Sequence, residues 1–160
     1  MREEERAWSY ALRLLSLRPR AREELRQRLL RRGFSREVVE RVLRRAEEAA
    51  LVDDRAFALL YAEDRLLSRP CPRRRIAGEL RARGVEGALA EEAAQAVLPE
   101  LSEEELARRA LASRRRLWEG LPPPVALRRA YAFLLRRGFP PELARRAAEE
   151  AFGPWTSASE

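Results

Sequence analysis

One phrase is written three times in this chain, and it constrains the fold more than any other feature. The phrase is a leucine, three residues, a glycine and an apolar residue, at Leu29–Phe34, Leu80–Val85 and Leu134–Phe139. Its glycines, Gly33, Gly84 and Gly138, fall fifty-one and fifty-four residues apart. The register extends beyond the phrase. An arginine precedes each glycine (Arg32, Arg83, Arg137), and an apolar residue follows five positions later (Val38, Leu89, Leu143). Prolines punctuate each copy upstream, at Pro19, Pro70 and Pro122–Pro124. A fixed period with shared punctuation is the signature of one supersecondary unit used in tandem, each copy too small to bury its apolar face alone. The expected repeats are residues 1–50, 51–101 and 102–153, with a tail at 154–160.

Each copy reads as three helices. The first helices are expected at about Glu3–Ser16, Asp54–Leu67 and Glu103–Trp118. Their apolar stripes are Trp8, Ala11, Leu12 and Leu15; Phe57, Leu60 and Tyr61; and Leu106, Ala110 and Leu117. Ser102 with Glu105 has capping-box spacing, and Asp53 suits an N-cap before Phe57. Second helices follow the prolines, at about Arg20–Arg32, Arg73–Arg83 and Val125–Arg137, and stop at glycines suited to a left-handed cap. Third helices are expected at about Arg36–Glu48, Gly87–Leu98 and Glu142–Phe152. Their stripes are Val38, Val42 and Ala46; Leu89, Ala93 and Val97; and Leu143, Ala147 and Ala151. Period-two alternation is absent, so the predicted fold is all-α, three tandem three-helix repeats in an elongated, curved array. The tail after Gly153 reads as frayed, with Trp155 available to dock back on the last repeat.

Composition removes several classes of function. The 160 residues hold no apolar run near the roughly 20 needed to cross a bilayer. The start MREEERAW does not resemble a secretory leader, so a cytoplasmic location is expected. Cys71 is the single cysteine, without a partner for a disulfide or a CxxC metal site. There is no histidine, no GxxxxGK[ST] loop and no GxGxxG loop. Aspartates are three, Asp53, Asp54 and Asp64, and glutamates sit among arginines at ion-pairing helix spacing. The chain therefore reads as a binding protein, with no catalytic residue, cofactor or metal expected.

Charge is where the binding chemistry shows. All 33 basic residues are arginine, and the formal net charge is +7. From Arg65 to Arg83 seven arginines (Arg65, Arg69, Arg73, Arg74, Arg75, Arg81, Arg83) face a single acid, Glu79, whereas Glu86 to Glu105 holds seven acids and no base. Segregated charge of this kind orients a protein on a charged partner, and guanidinium groups suit carboxylate and phosphate. The expected partner-binding residues are those seven arginines with Arg31 and Arg32; Gly33, Gly84, Gly138, Asp53 and Phe57 are expected to be structural. Three helices with a glycine turn also outline a helix-turn-helix, so a tandem DNA-binding protein is the alternative. Against it, the middle third helix, GALAEEAAQAVL, carries acids and no base, and phosphates would repel it.

The run from Arg18 to Leu29 with RGF, then VVERVL, LVDDRAFA at Leu51–Ala58, Asp64 with Arg65, Ser68-Arg69-Pro70, and Glu79-Leu80 with RGV resembles the RecX family of recombination regulators. The likeness is strongest from Leu51 to Val85. Ala50 stands where the family usually has a glycine before LVDD, and Pro72 where a glycine commonly follows SRP. The resemblance implies a crescent of three-helix repeats, expected to be monomeric, that lies in the groove of the RecA recombinase filament on single-stranded DNA. It would inhibit recombinase ATPase, strand exchange and co-protease activity, with weak binding to single- or double-stranded DNA an added possibility and no membrane partner.

Overall fold

The computed structural model describes residues 2–156; Ser157–Glu160 of the expected tail lie outside them. Nine α-helices and one 3₁₀ turn make up the described residues, which contain no strand. In order they are α1 Glu3–Leu17, α2 Arg22–Arg31, α3 Arg36–Glu48, α4 Asp54–Ser68, α5 Arg73–Ala82, α6 Gly87–Ala96, α7 Glu103–Arg114, α8 Pro123–Arg136 and α9 Pro141–Phe152. The 3₁₀ turn spans Arg115–Leu117. The packing divides into two compact units, one of Met1–Tyr61 with Ala77–Ala94 and one of Ala62–Ile76 with Gln95–Glu160. Packing unit and sequence repeat therefore differ, because the middle repeat contributes residues to both.

The repeated phrase is a helix stop. At each copy the apolar residue after the glycine donates its N–H five residues back: Phe34 to Leu29 at 3.3 Å, Val85 to Leu80 at 3.1 Å and Phe139 to Leu134 at 3.1 Å. The glycines have φ of 100°, 90° and 98°, the left-handed conformation this cap requires. Ala50 repeats the arrangement after α3 without a glycine. Leu51 donates to Ala46 O at 2.8 Å, and Ala50 itself has φ 56°. That is the position at which the resemblance noted a missing glycine.

In the first unit α1, α2 and α3 pack on one another around Leu25, Leu29, Val39, Val42 and Leu43, all essentially without exposure. Burying each such side chain contributes about 1.5–3 kcal/mol. The second unit repeats the plan with α7, α8 and α9 around Leu106, Leu127 and Leu134. Helix starts are satisfied by side chains. Asp53 Oδ1 accepts from Arg55 N at 3.0 Å and Ala56 N at 3.1 Å, Ser102 Oγ accepts from Glu105 N at 3.1 Å, and Asp54 Oδ1 caps α2 through Arg22 N at 2.8 Å.

Several expectations need correction. Leu12, Leu60 and Leu117, expected in buried stripes, are 39%, 57% and 63% exposed. In α1 and α4 the inward faces are built on Ala7, Ala11, Ala58 and Ala62 instead. Small side chains let helix backbones approach closely, and that steric advantage is invisible to a reading weighted by hydrophobicity. Leu117 is exposed because α7 ends at Arg114 and the tighter 3₁₀ turn rotates the following residues off its face. Ala151 is likewise exposed, α2 starts at Arg22, later than expected, and α6 stops at Ala96, short of Leu98. α8 begins at Pro123, inside the proline run, where proline needs no N–H. Trp155 does dock: its ring meets Tyr131 at 5.4 Å, and its N–H donates to Glu149 at 3.0 Å.

Candidate functional site

The arginines expected to bind a partner divide between the two units. Arg31, Arg32, Arg81 and Arg83 belong to the first; Arg65, Arg69, Arg73, Arg74 and Arg75 belong to the second. Contiguity in sequence is thus not contiguity in one packing unit.

In the first unit Arg31, Arg81 and Arg83 line a cavity of about 470 Å³ together with Arg18, Arg28, Glu23, Glu24 and Tyr61. The Arg83 guanidinium lies 4.7 Å above the Tyr61 ring, whose hydroxyl donates to Glu79 at 2.7 Å. Arg81 approaches Glu91 at 3.7 Å. Burial pushes the Glu24 carboxyl up, but the hydrogen bonds and charges of Arg18 and Arg20 outweigh it and hold the group below the usual carboxylate range. Arg32 turns to a different cavity, with Arg6, Arg13 and Glu3, where it lies 4.6 Å above Tyr10. Phe57 is buried beside Tyr61, ring centroids 6.1 Å apart.

In the second unit two of the expected binding residues turn inward. Arg65 is 6% exposed and donates to the Arg69 carbonyl. Arg73 is 5% exposed; its Nη1 donates to Val97 O at 2.6 Å, and its Nη2 to Leu98 O at 2.6 Å and Leu101 O at 3.0 Å. Arg65 serves the carbonyl just past the end of α4, and Arg73 serves carbonyls of the loop between α6 and α7. Arg75 is exposed and donates to Arg136 O at 2.7 Å, capping the end of α8. Arg69 and Arg74 remain solvent-facing, with no acidic partner among the described residues.

Arginines outside that set gather beside Arg75. Arg114, Arg129, Arg136 and Arg137 line a cavity of about 480 Å³ with Arg75, Leu117, Trp118 and Phe133, and no carboxylate lines it. Arg137 lies 4.7 Å above Phe133 and donates to Pro70 O at 3.1 Å. Burial, then the charges of Arg65, Arg114 and Arg69, lower its guanidinium from the ordinary arginine value. One signal for this site lay in the repeat: Arg32, Arg83 and Arg137 each precede a cap glycine, and each stacks on an aromatic ring. Tyr10 and Tyr61 both stand twenty-three residues before their glycines. Arg115 holds that place in the third copy, where Phe133 of α8 supplies the ring instead.

Among the described residues no group of three or more His, Cys, Asp or Glu is placed to hold a metal ion, and no helix is long and apolar enough to cross a membrane. Fold and surface define an all-α protein of tandem three-helix repeats whose exposed chemistry is dominated by arginine. Residues 7–45, 53–93 and 102–148 match, in order, the first, second and third three-helix domains of RecX, and the chain belongs to that family. It is 40% identical over 147 residues to the Regulatory protein RecX of Streptomyces coelicolor, covering 92% of this chain and 78% of the relative. To the Treponema pallidum protein of the same name it is 40% identical over 136 residues, covering 85% and 79%. The crystal structure of RecX from Lactobacillus salivarius is similar in fold, with a TM-score of 0.70, 16% identity and coverage of 92% and 96%. A second crystal structure, of a regulatory protein RecX, has a TM-score of 0.72, 22% identity and coverage of 94% and 72%.

Proposed function

We propose that this chain is a non-enzymatic, cytoplasmic, monomeric regulator that binds the RecA recombinase filament on single-stranded DNA. Bound there, it inhibits the filament's ATPase, strand-exchange and co-protease activities and so modulates recombination and the DNA-damage response. The observation that carries this reading is the ordered match to all three RecX domains, at about 40% identity to proteins named Regulatory protein RecX. The surface supports it. Exposed Arg31, Arg32, Arg69, Arg74, Arg75, Arg81 and Arg83 offer planar donors to the carboxylates and phosphates of a nucleoprotein filament. Arg65 and Arg73 are turned inward and offer no donor to a partner, Arg65 holding the Arg69 carbonyl and Arg73 those of Val97, Leu98 and Leu101.

No bond chemistry is needed. A protein that prefers one filament state shifts the population toward it by its differential affinity, and a bound chain excludes other occupants of the same surface. The test is recombinase ATPase on single-stranded DNA with this protein titrated from substoichiometric to excess. ATP hydrolysis and strand exchange should fall together. Unchanged rates at excess protein would refute the proposal.

A further inference from the structure

The arginine cavity of the second unit is only partly accounted for by folding. Many arginines of the chain close on glutamates: Arg22 on Glu47 at 2.6 Å, Arg26 on Glu23 at 2.7 Å, Arg108 on Glu150 at 3.0 Å. Around this cavity the pattern stops. Arg114, Arg129 and Arg136 make no ion pair with any described residue, and no acid lines the wall. Two further guanidinium groups, on Arg75 and Arg137, are held in place by the carbonyls of Arg136 and Pro70. Gathering like charges is unfavourable unless an anion compensates them, and pinning them beforehand reduces the ordering cost of binding one. Arg137 is lowered from the ordinary arginine value by burial first and then by the charges of Arg65, Arg114 and Arg69, of which Arg114 lines the cavity.

The remaining wall is apolar. Trp118 packs edge-on to Phe133 at 5.5 Å and to Phe152 at 5.9 Å, and Arg114 lies 5.9 Å from the Phe133 centroid. Leu117, 63% exposed, stands at the same cavity. Trp118 and Phe133 are themselves buried, so the apolar surface open to a ligand is Leu117, and guanidinium groups matched to phosphate beside it form a combination able to hold a nucleotide's phosphates and sugar. We infer that this cavity, formed by Arg75, Arg114, Arg129, Arg136 and Arg137 over Trp118 and Phe133, is a binding site for nucleotide phosphates, supplied either by a single-stranded nucleic acid or by a free nucleoside triphosphate.

The test uses the full chain without recombinase, so it stands or falls separately from the filament reading. Fluorescence anisotropy is recorded at 50 mM salt with a labelled thymidine oligonucleotide in one arm and a labelled nucleoside triphosphate in the other. The comparison variants are the triple substitution Arg114→Gln, Arg129→Gln, Arg136→Gln and, as a charge control, Arg116→Gln with Arg128→Gln, exposed arginines outside the cavity. The unmodified chain should bind in at least one arm, and whichever arm responds identifies the source of the phosphate. The triple variant should weaken that binding at least about tenfold and the control by less than about threefold. For three phosphates of a single strand, affinity should fall roughly twenty-fold between 50 and 200 mM salt. If circular dichroism shows the triple variant unfolded, Arg129→Gln alone decides, with at least about a threefold loss expected. The inference is overturned if neither ligand binds, if the cavity variants bind as well as the unmodified chain, or if the control loses as much as the triple variant. Displacement by polyglutamate as effective as by oligonucleotide would also overturn it, marking an acidic-peptide site instead.

Discussion

Arg73 Nη2 donates to the carbonyl of Leu98 at 2.6 Å, and Leu98 is one of two non-glycine residues with positive φ among those described, at 46°. A leucine in the left-handed region is strained by about 1–2 kcal/mol. The guanidinium spans Val97, Leu98 and Leu101, so one side chain from the start of α5 holds the whole segment between α6 and α7. Arg73→Ala should therefore cost about 3 kcal/mol or more, because buried carbonyls lose charged donors. Arg73→Lys should recover only part of this, lacking the planar fork. Urea denaturation of the three proteins checks the order.

Ala50 occupies a left-handed cap otherwise filled by glycine, with φ 56° and the same five-residue hydrogen bond. Ala50→Gly is expected to stabilise the chain, by about 0.5–1 kcal/mol after the extra entropy of glycine in the unfolded state is subtracted. A melting temperature equal to or below that of the unmodified chain would contradict this.

The three cap glycines should not be equally sensitive. A Cβ on Gly33 would meet nothing within 4 Å; on Gly138 it would meet Arg75 Cδ at 3.4 Å; on Gly84 it would meet Glu23 Cβ at 2.3 Å. All three alanine variants incur the left-handed strain of about 1–2 kcal/mol, while Gly84→Ala must also displace α2 or distort the turn. Stability should fall in the order Gly84→Ala, Gly138→Ala, Gly33→Ala, the largest loss first, as read by denaturant midpoints.

Filament inhibition should depend on exposed arginines and not on buried ones. Arg69→Glu with Arg74→Glu leaves the core untouched, since neither side chain has an acidic partner among the described residues. The double variant should keep its melting temperature and require at least about tenfold more protein for half-inhibition of recombinase ATPase. Full inhibition by this variant would remove these residues from the partner surface.

Glu24 should give the stability a specific acid dependence. Its carboxyl is held below the ordinary range, so its contribution is complete above the unfolded value and disappears as pH falls through the lower folded value. Glu24→Gln should cost about 1 kcal/mol or less at neutral pH, and the difference from the unmodified chain should close on the acid side of the usual glutamate range. Denaturation curves at pH 7 and at about pH 2.5 measure it.

The repeat, the helices and their glycine stops were legible because each depends on local rules: apolar periodicity, a capping side chain before the helix, a left-handed residue after it. The arginines were not. Arg73, Arg74 and Arg75 are consecutive and chemically identical, yet one is buried against three carbonyls, one faces solvent and one caps α8. Which of them turns inward depends on the phase of α5 against a segment more than twenty residues away, and charge counting carries no information about that phase. The cavity of Arg114, Arg129, Arg136 and Arg137 was missed for the same reason, since these residues converge from α7 and α8 and form no run. The alanine faces of α1 and α4 were underweighted because their value lies in allowing close approach and not in the area they bury.

The unequal surroundings of the three cap glycines also bear on how such a sequence can change over generations. Copies of one turn begin under the same backbone constraint, but Gly84 has come to lie against Glu23 while Gly33 faces open space. At position 33 drift to asparagine, which tolerates the left-handed region, is open to the lineage. At position 84 that route is closed unless position 23 changes with it. Steric exclusion thus couples positions 84 and 23, a constraint that the sibling turn at Gly33 does not carry.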